Sequence, residues 1–350
     1  MHTKKPKICY IVPEYSEDTD THFYHIYELI EVLKEKADIF LIAAKGKKFR
    51  RRLGILRARL AGYKDFYVHY SFKAALFAIL IVKIFGGRVF YWNCGMPWLY
   101  KRNWLRERVF RFILRNSTLV TGTNSLKNQY AQIYNLKPRN IRVLPNWVNI
   151  ERFEGFDKIQ ARKELNISPE KKVVLFLHRL SVRKGADKLP AIIKEFKNYP
   201  DILFLIIGSG PESRNLKFEI RNLKLGDIVR FEGAVPNKAV PKYMIVSDVF
   251  LMPSEEEGFP RVLLEAMASG LPFVASDVGG VKEIIPSEIQ EFVIPQQDIE
   301  EFSRKIKKLL SAPLLYQEFQ QIEREWVKQY DIKTVADKFV GLFEINKSAF

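Results

Sequence analysis

The 350-residue sequence predicts an α/β fold of two doubly wound, Rossmann-like domains. Three observations carry that reading. Short apolar runs alternate with helical stretches along the whole chain, the pattern of parallel strands covered by helices on both faces. The runs fall into two series. The chain is also longer than one hydrophobic core usually serves.

The first series is 7–12, 39–44, 66–70, 89–92, 119–122 and 141–144; the second is 172–177, 202–207, 229–231, 249–252, 273–275 and 292–294. Helical stretches lie between most of them, for example 25–36 and 187–197. The break between the series falls near 145–158. The tail, 317–346, reads as helical, with aromatic anchors at Trp326, Phe339 and Phe343 and no further strand. The expected organisation is an N-terminal domain over 1–155, a C-terminal domain over 156–325 and a helical segment over 326–350. Ligands of open parallel sheets bind beyond the carboxyl ends of the strands, and two such domains facing each other make a central cleft. The chemistry is therefore sought in loops that follow strands.

Composition narrows the class. The hydrophobic and charged fractions, 47% and 28%, are those of an ordinary globular protein. Cys9 and Cys94 stand in no metal-type spacing. Cys9 lies in an apolar run, so a buried thiol is expected, a disulfide framework is excluded and a reducing compartment is the default. Lys4, Lys5 and Lys7 precede only a short apolar run, so no signal peptide is read. The greasiest stretch, 74–85, is too short to span a bilayer and carries Lys83. A cytoplasmic protein is expected, at most peripheral on the inner face of the cytoplasmic membrane.

The net charge of +17 is one-sided. Residues 1–150 hold 27 basic and 10 acidic side chains, whereas 151–350 hold 30 of each. Between 39 and 150 the only acids are Asp65 and Glu107. The segment 45–64 has nine basic residues and no acid, and 100–115 reads YKRNWLRERVFRFILR, with Leu105, Val109, Phe112 and Ile113 at helical spacing. Such a half is a solvated face, a nucleic-acid surface, or a surface for an anionic membrane or acceptor. Trp98, Trp104 and Phe110 beside the arginines favour an interface over plain solvation.

The strongest motif is SEEEGFPRVLLEAMASG, 254–270, directly after the run 249–252. Pro260 suits the first position of a helix and Gly270 its end. The free N–H groups of Arg261, Val262 and Leu263 would then form an anion site suited to a diphosphate. Glu265 lies about 6 Å along the axis from Arg261, at ~1.5 Å per residue, a fair spacing between a phosphate and its ribose. A carboxylate there accepts from two vicinal hydroxyls. Glu257, in the loop before the helix, is free to meet hydroxyls of a donor sugar.

A second motif, HRLSVRKG over 178–185, follows the run 172–177. Arg179 and Lys184 can neutralise a departing nucleoside diphosphate, the charge that grows as a sugar is transferred, and no metal is then required. Arg183 reads as a solvated neighbour. Gly208-Ser209-Gly210 is either a simple turn or a close approach of backbone to nucleotide. Asp277-Val278-Gly279-Gly280 marks another tight turn after a strand.

HRLSVRKG, then IIGSGPE, then FEGAVPNKAVPKYMIVSDVFLMPSEEEGFPRVLLEAMASGLPFVASDVGGVKEII, in this order and spacing over 172–286, resembles the retaining glycosyltransferases of family 4, which have the GT-B fold. VLPNWVNIERF looks like that family's interdomain region. The resemblance implies a GT-B fold whose last helix crosses back onto the N-terminal domain. It implies transfer of a hexose from a UDP- or GDP-sugar, with retained configuration and without metal or other cofactor; the basic N-terminal half points to a hydroxyl of an anionic or membrane-embedded acceptor, a lipid-linked glycan or a phospholipid, with a soluble glycan as the alternative. Arg179 and Lys184 match the diphosphate-binding pair. Glu257 and Glu265 match the E-x7-E motif, Glu257 by the donor sugar and Glu265 on the ribose. The backbone of Phe259, Arg261, Val262 and Leu263 would face sugar or phosphate, with Gly208 and Gly210 alongside and Val235 by the base.

The N-terminal half departs from that pattern. Ser16 to His22 replaces the usual glycine pair after the first strand, Trp92-Asn93-Cys94-Gly95 stands where the family has a histidine, and Asn146-Trp147 replaces Asn-Gly. His22, Asp18 and Asn93 are the acceptor-side candidates. Asp18-Thr19-Asp20 looks like a DxD metal motif, but helix capping is the favoured role. His25 either reaches the cleft or packs beside Leu29; His69, in a strand, is read as structural. The rivals are a nucleotide-sugar binder without turnover and a nucleic-acid-binding protein using the basic half, although no nucleic-acid module is visible and no such partner is expected. No GxGxxG follows the first strand, which argues against a dinucleotide enzyme.

Overall fold

The computed structural model describes residues 5–13, 24–43 and 48–344. It divides into two compact units, one of residues Met1–Trp147 with Ile332–Phe350, the other of Val148–Asp331. Each unit holds a six-stranded sheet, and every strand pairing is parallel.

In the first unit the elements are β1 (Lys7–Val12), α1 (Tyr24–Lys36), β2 (Asp38–Ala43), α2 (Lys48–Leu60), β3 (Asp65–His69), α3 (Phe72–Phe85), β4 (Arg88–Trp92), α4 (Trp104–Arg115), β5 (Thr118–Thr121), α5 (Asn124–Tyr134) and β6 (Ile141–Val143). The sheet order is β2-β1-β3-β4-β5-β6. Central strands read as unbroken apolar runs because both faces are covered; Ile8 to Val12 are all fully buried. One face presents Cys9, Ile11, Phe66, Val68, Val89 and Tyr91 to Ile55, Ala75, Ile79, Phe110 and Ile113 of the helices. Cys9 and Cys94 are buried and unpaired.

Helix α4 forms within the stretch whose spacing predicts it, but its buried face is Phe110, Ile113 and Leu114. Leu105, expected in the apolar stripe, is 57% exposed, and of the three aromatics read as interfacial Phe110 is core. A helix launched from the Asn103 cap, whose side chain accepts from the Arg106 N–H at 2.9 Å, turns Trp104 and Leu105 outward.

In the second unit the elements are α6 (Lys158–Glu164), β7 (Lys172–Leu177), α7 (Leu189–Lys194), β8 (Ile202–Ile207), α8 (Ser213–Asn222), β9 (Val229–Gly233), α9 (Val240–Val246), β10 (Val249–Met252), α10 (Arg261–Ser269), β11 (Phe273–Ser276), α11 (Val281–Ile284), β12 (Val293–Ile294), α12 (Ile299–Ser311) and α13 (Pro313–Trp326). The sheet order is β12-β11-β10-β7-β8-β9. From β7 the chain winds outward through β8 and β9, then returns to β10 and winds the other way. The point of reversal, between β7 and β10, is where an open parallel sheet leaves a crevice. Helix α7 is shorter than the expected 187–197, since Pro190 occupies its first turn and the chain beyond Lys194 closes in tighter turns.

The tail corrects the expectation of one helical segment from 326. Helix α13 ends at Trp326, a 3-10 turn spans Val327–Tyr330, and only then does α14 (Ile332–Glu344) begin. The break lies at Asp331, which bridges Val148, while the Val148 N–H donates to the Tyr330 carbonyl at 3.0 Å. These two crossings of the chain also mark the division between the units, at 147/148 and 331/332 rather than at 155 and 325. Helix α14 packs within the first unit: Phe339 meets Tyr67 with ring centroids 4.6 Å apart and Tyr10 at 5.7 Å, and Phe343 meets Phe90 at 4.7 Å.

Candidate functional site

The crevice of the second unit is lined by the two loops that leave β7 and β10. The first runs from His178 to Gly185 and carries the cations; the second runs from Pro253 to Pro260 and carries Glu255, Glu256 and Glu257. Two ion pairs interlock them, and Lys188, at the start of α7, adds a third. Lys184 Nζ lies 2.6 Å from Glu257 Oε1, Arg183 Nε lies 3.3 Å from Glu256 Oε2, and Lys188 Nζ lies 3.5 Å from Glu255 Oε1. The N–H groups of Glu255 and Glu256 also donate to the Arg183 carbonyl at 2.9 and 3.3 Å. Arg183, read as a solvated neighbour, is a partner of this clasp.

Glu257 is the centre of the site. Its carboxylate is buried, and Oε1 meets Lys184 Nζ at 2.6 Å, the Ser254 hydroxyl at 3.0 Å and His178 Nε2 at 3.2 Å. The His178 tautomer follows from its other nitrogen. Nδ1 accepts the Arg179 N–H at 3.0 Å, so the proton sits on Nε2 and is donated to Glu257. Burial alone would raise the Glu257 carboxyl. The His178 hydrogen bond and the Lys184 charge outweigh it and hold the group down at about 2. Glu257 is thus held by three donors on one oxygen rather than free, as expected from sequence, and Oε2 accepts from none of the described residues.

Arg179 is exposed at the mouth of the same loop and its guanidinium has no partner among the described residues. The two expected diphosphate cations therefore differ: Lys184 already pairs with Glu257, whereas the Arg179 guanidinium has no partner among the described residues.

Helix α10 starts at the crevice. Pro260 stands at the N-cap with ψ 99°, one position earlier than expected, and provides no side-chain cap. Its carbonyl accepts the Leu263 N–H at 3.1 Å, so that amide is not one of the free donors expected there. The Val262 N–H has no partner among the described residues. Glu265 is half-buried and accepts from Arg261 Nη2 at 3.1 Å, one turn back. Phe259 is buried against Tyr330, with centroids 6.0 Å apart. Gly270 ends the helix with φ 61°, as its position in the motif requires.

Glycines let these loops pack backbone to backbone. A Cβ on Gly279, φ 55°, would lie 1.7 Å from the Glu257 carbonyl oxygen, and one on Gly208, φ 133°, 1.9 Å from that of His178. Gly208 thus brings the β8 loop against the β7 loop; Val235, after β9, is half-buried nearby in the chain.

The other expected residues belong to the first unit. Asp18 and His22 lie outside the described residues. The Asn93 side chain accepts the Gly95 N–H at 3.0 Å, which closes a turn after β4. His69 is packed, stacked on Trp92 with centroids 4.2 Å apart and bonded to the Tyr10 hydroxyl; burial pushes its imidazole down to about 3. His25 is buried beside Trp147, whose indole N–H donates to its carbonyl. Sequence reasoning missed His178 and Ser254 as partners of Glu257. Their positions, first after β7 and second after β10, were the available signal.

Residues 157–326 match the family model described as Glycosyl transferases group 1. The chain is 29% identical over 208 residues to a D-inositol 3-phosphate glycosyltransferase of Segniliparus rotundus, over 58% of this chain and 46% of that protein. It is 34% identical over 176 residues to an uncharacterized glycosyltransferase of Haemophilus influenzae, over 49% of each. The chain thus spans about half the length of these curated relatives. As a fold it superposes on Anabaena Alr3699/HepE, solved in complex with UDP, with a TM-score of 0.80 at 17% identity, over 97% of this chain and 99% of that one. The fold is GT-B.

Proposed function

We propose that the protein is a configuration-retaining, metal-independent glycosyltransferase that moves a hexose from a UDP- or GDP-sugar to a hydroxyl of a glycan or lipid-linked acceptor at a membrane surface. One observation carries the reading. At the strand reversal of the second unit a buried, ionised Glu257 is held by Lys184, His178 and Ser254, with the unpaired guanidinium of Arg179 in the same loop as His178 and the uncapped start of α10 following the loop of Glu257. Relatives named as glycosyltransferases and a neighbour solved with UDP support it.

On this reading Arg179, Lys184 and the Val262 amide take the diphosphate, Glu257 Oε2 takes a hydroxyl of the donor sugar and Glu265 the ribose. As the bond from the anomeric carbon to the phosphate oxygen breaks, the cations stabilise the charge arriving on the diphosphate. The acceptor oxygen bonds to the same face of the sugar, and its proton passes to the departing phosphate. On this reading the first unit binds the acceptor.

A donor panel tests this. Purified protein is incubated with UDP-, GDP-, ADP- and TDP-sugars, with acceptor extract, and released nucleoside diphosphate is measured. Release from a UDP- or GDP-sugar is expected, reduced by roughly 100-fold or more in Glu257→Ala and in Arg179→Ala/Lys184→Ala. Absence of both release and saturable nucleotide binding sinks the reading; binding without release favours a binder that does not turn over.

A further inference from the structure

The basic residues of the first unit are not spread evenly over one class of surface. Between β4 and the second turn of α4 four apolar side chains point into solvent: Leu99 is 55% exposed, Tyr100 45%, Trp104 70% and Leu105 57%. Exposed cations stand among them at Lys101, Arg106 and Arg108, and the Arg108 guanidinium lies 5.9 Å from the centre of the Trp104 ring. The side-chain charges of Lys101 and Arg106 have no partner among the described residues. The one acid of the segment, Glu107, is already neutralised, by Arg102 at 2.7 Å and Arg111 at 2.8 Å.

The surface is also rigidly built. Arg102 donates to the Pro97 carbonyl, to Glu107 and to the Tyr134 hydroxyl, and its guanidinium lies 4.5 Å from the centre of the Phe110 ring. Trp98 turns inward onto Tyr130, centroids 5.1 Å apart. The loop is thus pinned to α4 and α5, and the exposed side chains are what remains outside. An apolar cluster held out of the core costs hydration free energy unless something covers it. The segment sits at the carboxyl end of β4, the end of a parallel sheet where ligands enter.

We propose that residues 97–108 form a docking wedge for an anionic lipid bilayer, with Trp104 and Leu105 seated at the headgroup boundary and Lys101, Arg106 and Arg108 on the lipid phosphates. Tryptophan prefers the membrane interface, and arginine stems extend along apolar surface while the charge stays wet. Nucleic acid would match the cations but leave the aliphatic side chains in water, so the bilayer is the partner that satisfies both. The wedge deepens the membrane placement within the proposed function, but its test needs no turnover.

The whole protein is sedimented with phosphatidylcholine vesicles and with vesicles in which phosphatidylglycerol is roughly a third of the lipid. Binding is expected only to the anionic vesicles. Lys101→Gln/Arg106→Gln weakens it about fivefold per cation removed, and Trp104→Ser/Leu105→Ser by about tenfold. Tryptophan emission moves to shorter wavelength on binding, and Trp104→Phe keeps most of the binding while losing most of that shift. All these positions are exposed, so unchanged melting temperatures are expected and are checked first. Equal binding to both vesicle types, or variants that bind as the parent does, overturns the wedge. So does a salt-sensitive gel shift of RNA by a protein that ignores vesicles. Loss of the wedge with donor turnover intact leaves the transferase reading standing, and the converse separates them in the other direction.

Discussion

At the scale of single residues the site turns on Glu257, and its environment makes a pH-dependent prediction. Its ordinary value of 4.5 in the unfolded chain falls to about 2 in the fold. A depressed carboxyl contributes stability that is fully present above the unfolded value and is lost as pH falls through the folded one. The contribution is on the order of 3 kcal/mol, at ~1.4 kcal/mol for each pH unit separating the two values. Denaturant unfolding followed between pH 5 and pH 2, a window bracketing the two values, is expected to lose this amount in the parent and to show a flatter profile in Glu257→Gln. An identical pH slope in both would mean that Lys184 and His178 do not hold the charge. The place of Glu257 in the loop after β10 was legible in sequence from the 254–270 motif, and so was that of Lys184 in the loop after β7. Their pairing was not, because spacing along the chain places loops at strand ends without saying which side chains meet across a separation of 73 positions. His178 was hidden for the same reason. A histidine at a strand end is ordinary until its two nitrogens are seen to bridge the Arg179 amide and the Glu257 carboxylate.

At the scale of elements, all twelve strands stand where apolar runs predict them, most to within a residue, because a parallel strand buried on both faces has to be apolar throughout. Helix faces were less legible. In α4 a wide apolar content admits more than one stripe, and the Asn103 cap decides which is buried. The loops obey a different constraint, mutual close approach, which Gly279 exemplifies. Its φ of 55° is unfavourable for a side chain, and a Cβ would collide with the Glu257 carbonyl. Gly279→Ala is therefore expected to destabilise the protein by about 2 kcal/mol or more, since both backbone strain and a backbone collision have to be relieved. Gly226→Ala is the control: no atom beyond its two chain neighbours lies within 4 Å of its Cβ, and a change within roughly 0.5 kcal/mol is expected. Thermal unfolding of the two variants checks the pair. Activity gives a second readout, because the collision of Gly279→Ala falls on the backbone of Glu257 itself.

At the scale of the whole molecule the chain is threaded asymmetrically. The second unit is one continuous stretch, Val148–Asp331, whereas the first needs both ends of the chain. Length and the two series of apolar runs point to two domains, and the resemblance to a returning helix, but the place of return could not be read. Helical periodicity runs on through 317–346, and the break at Asp331 depends on a bridge to Val148, 183 positions away. The aromatic anchors of the tail accordingly serve different units. Trp326 donates to the Ile284 carbonyl within the second, while Phe339 and Phe343 fill the first against Tyr10, Tyr67 and Phe90. Within α14, Val335, Ala336, Phe339 and Phe343 are almost wholly buried. Each large apolar side chain uncovered loses roughly 1.5–3 kcal/mol of burial, so removal of the helix is comparable to the whole margin of a domain. A chain ended after Asp331 is therefore expected to lose the first unit's unfolding transition in calorimetry and to keep the second's. The segment 148–331 made alone is expected to fold and to bind a nucleoside diphosphate, because the Glu257 clasp, Arg179 and α10 all lie inside it. If the truncated chain instead melts as one lost transition, the two units share their cooperativity, and the donor site depends on the first unit for more than its acceptor.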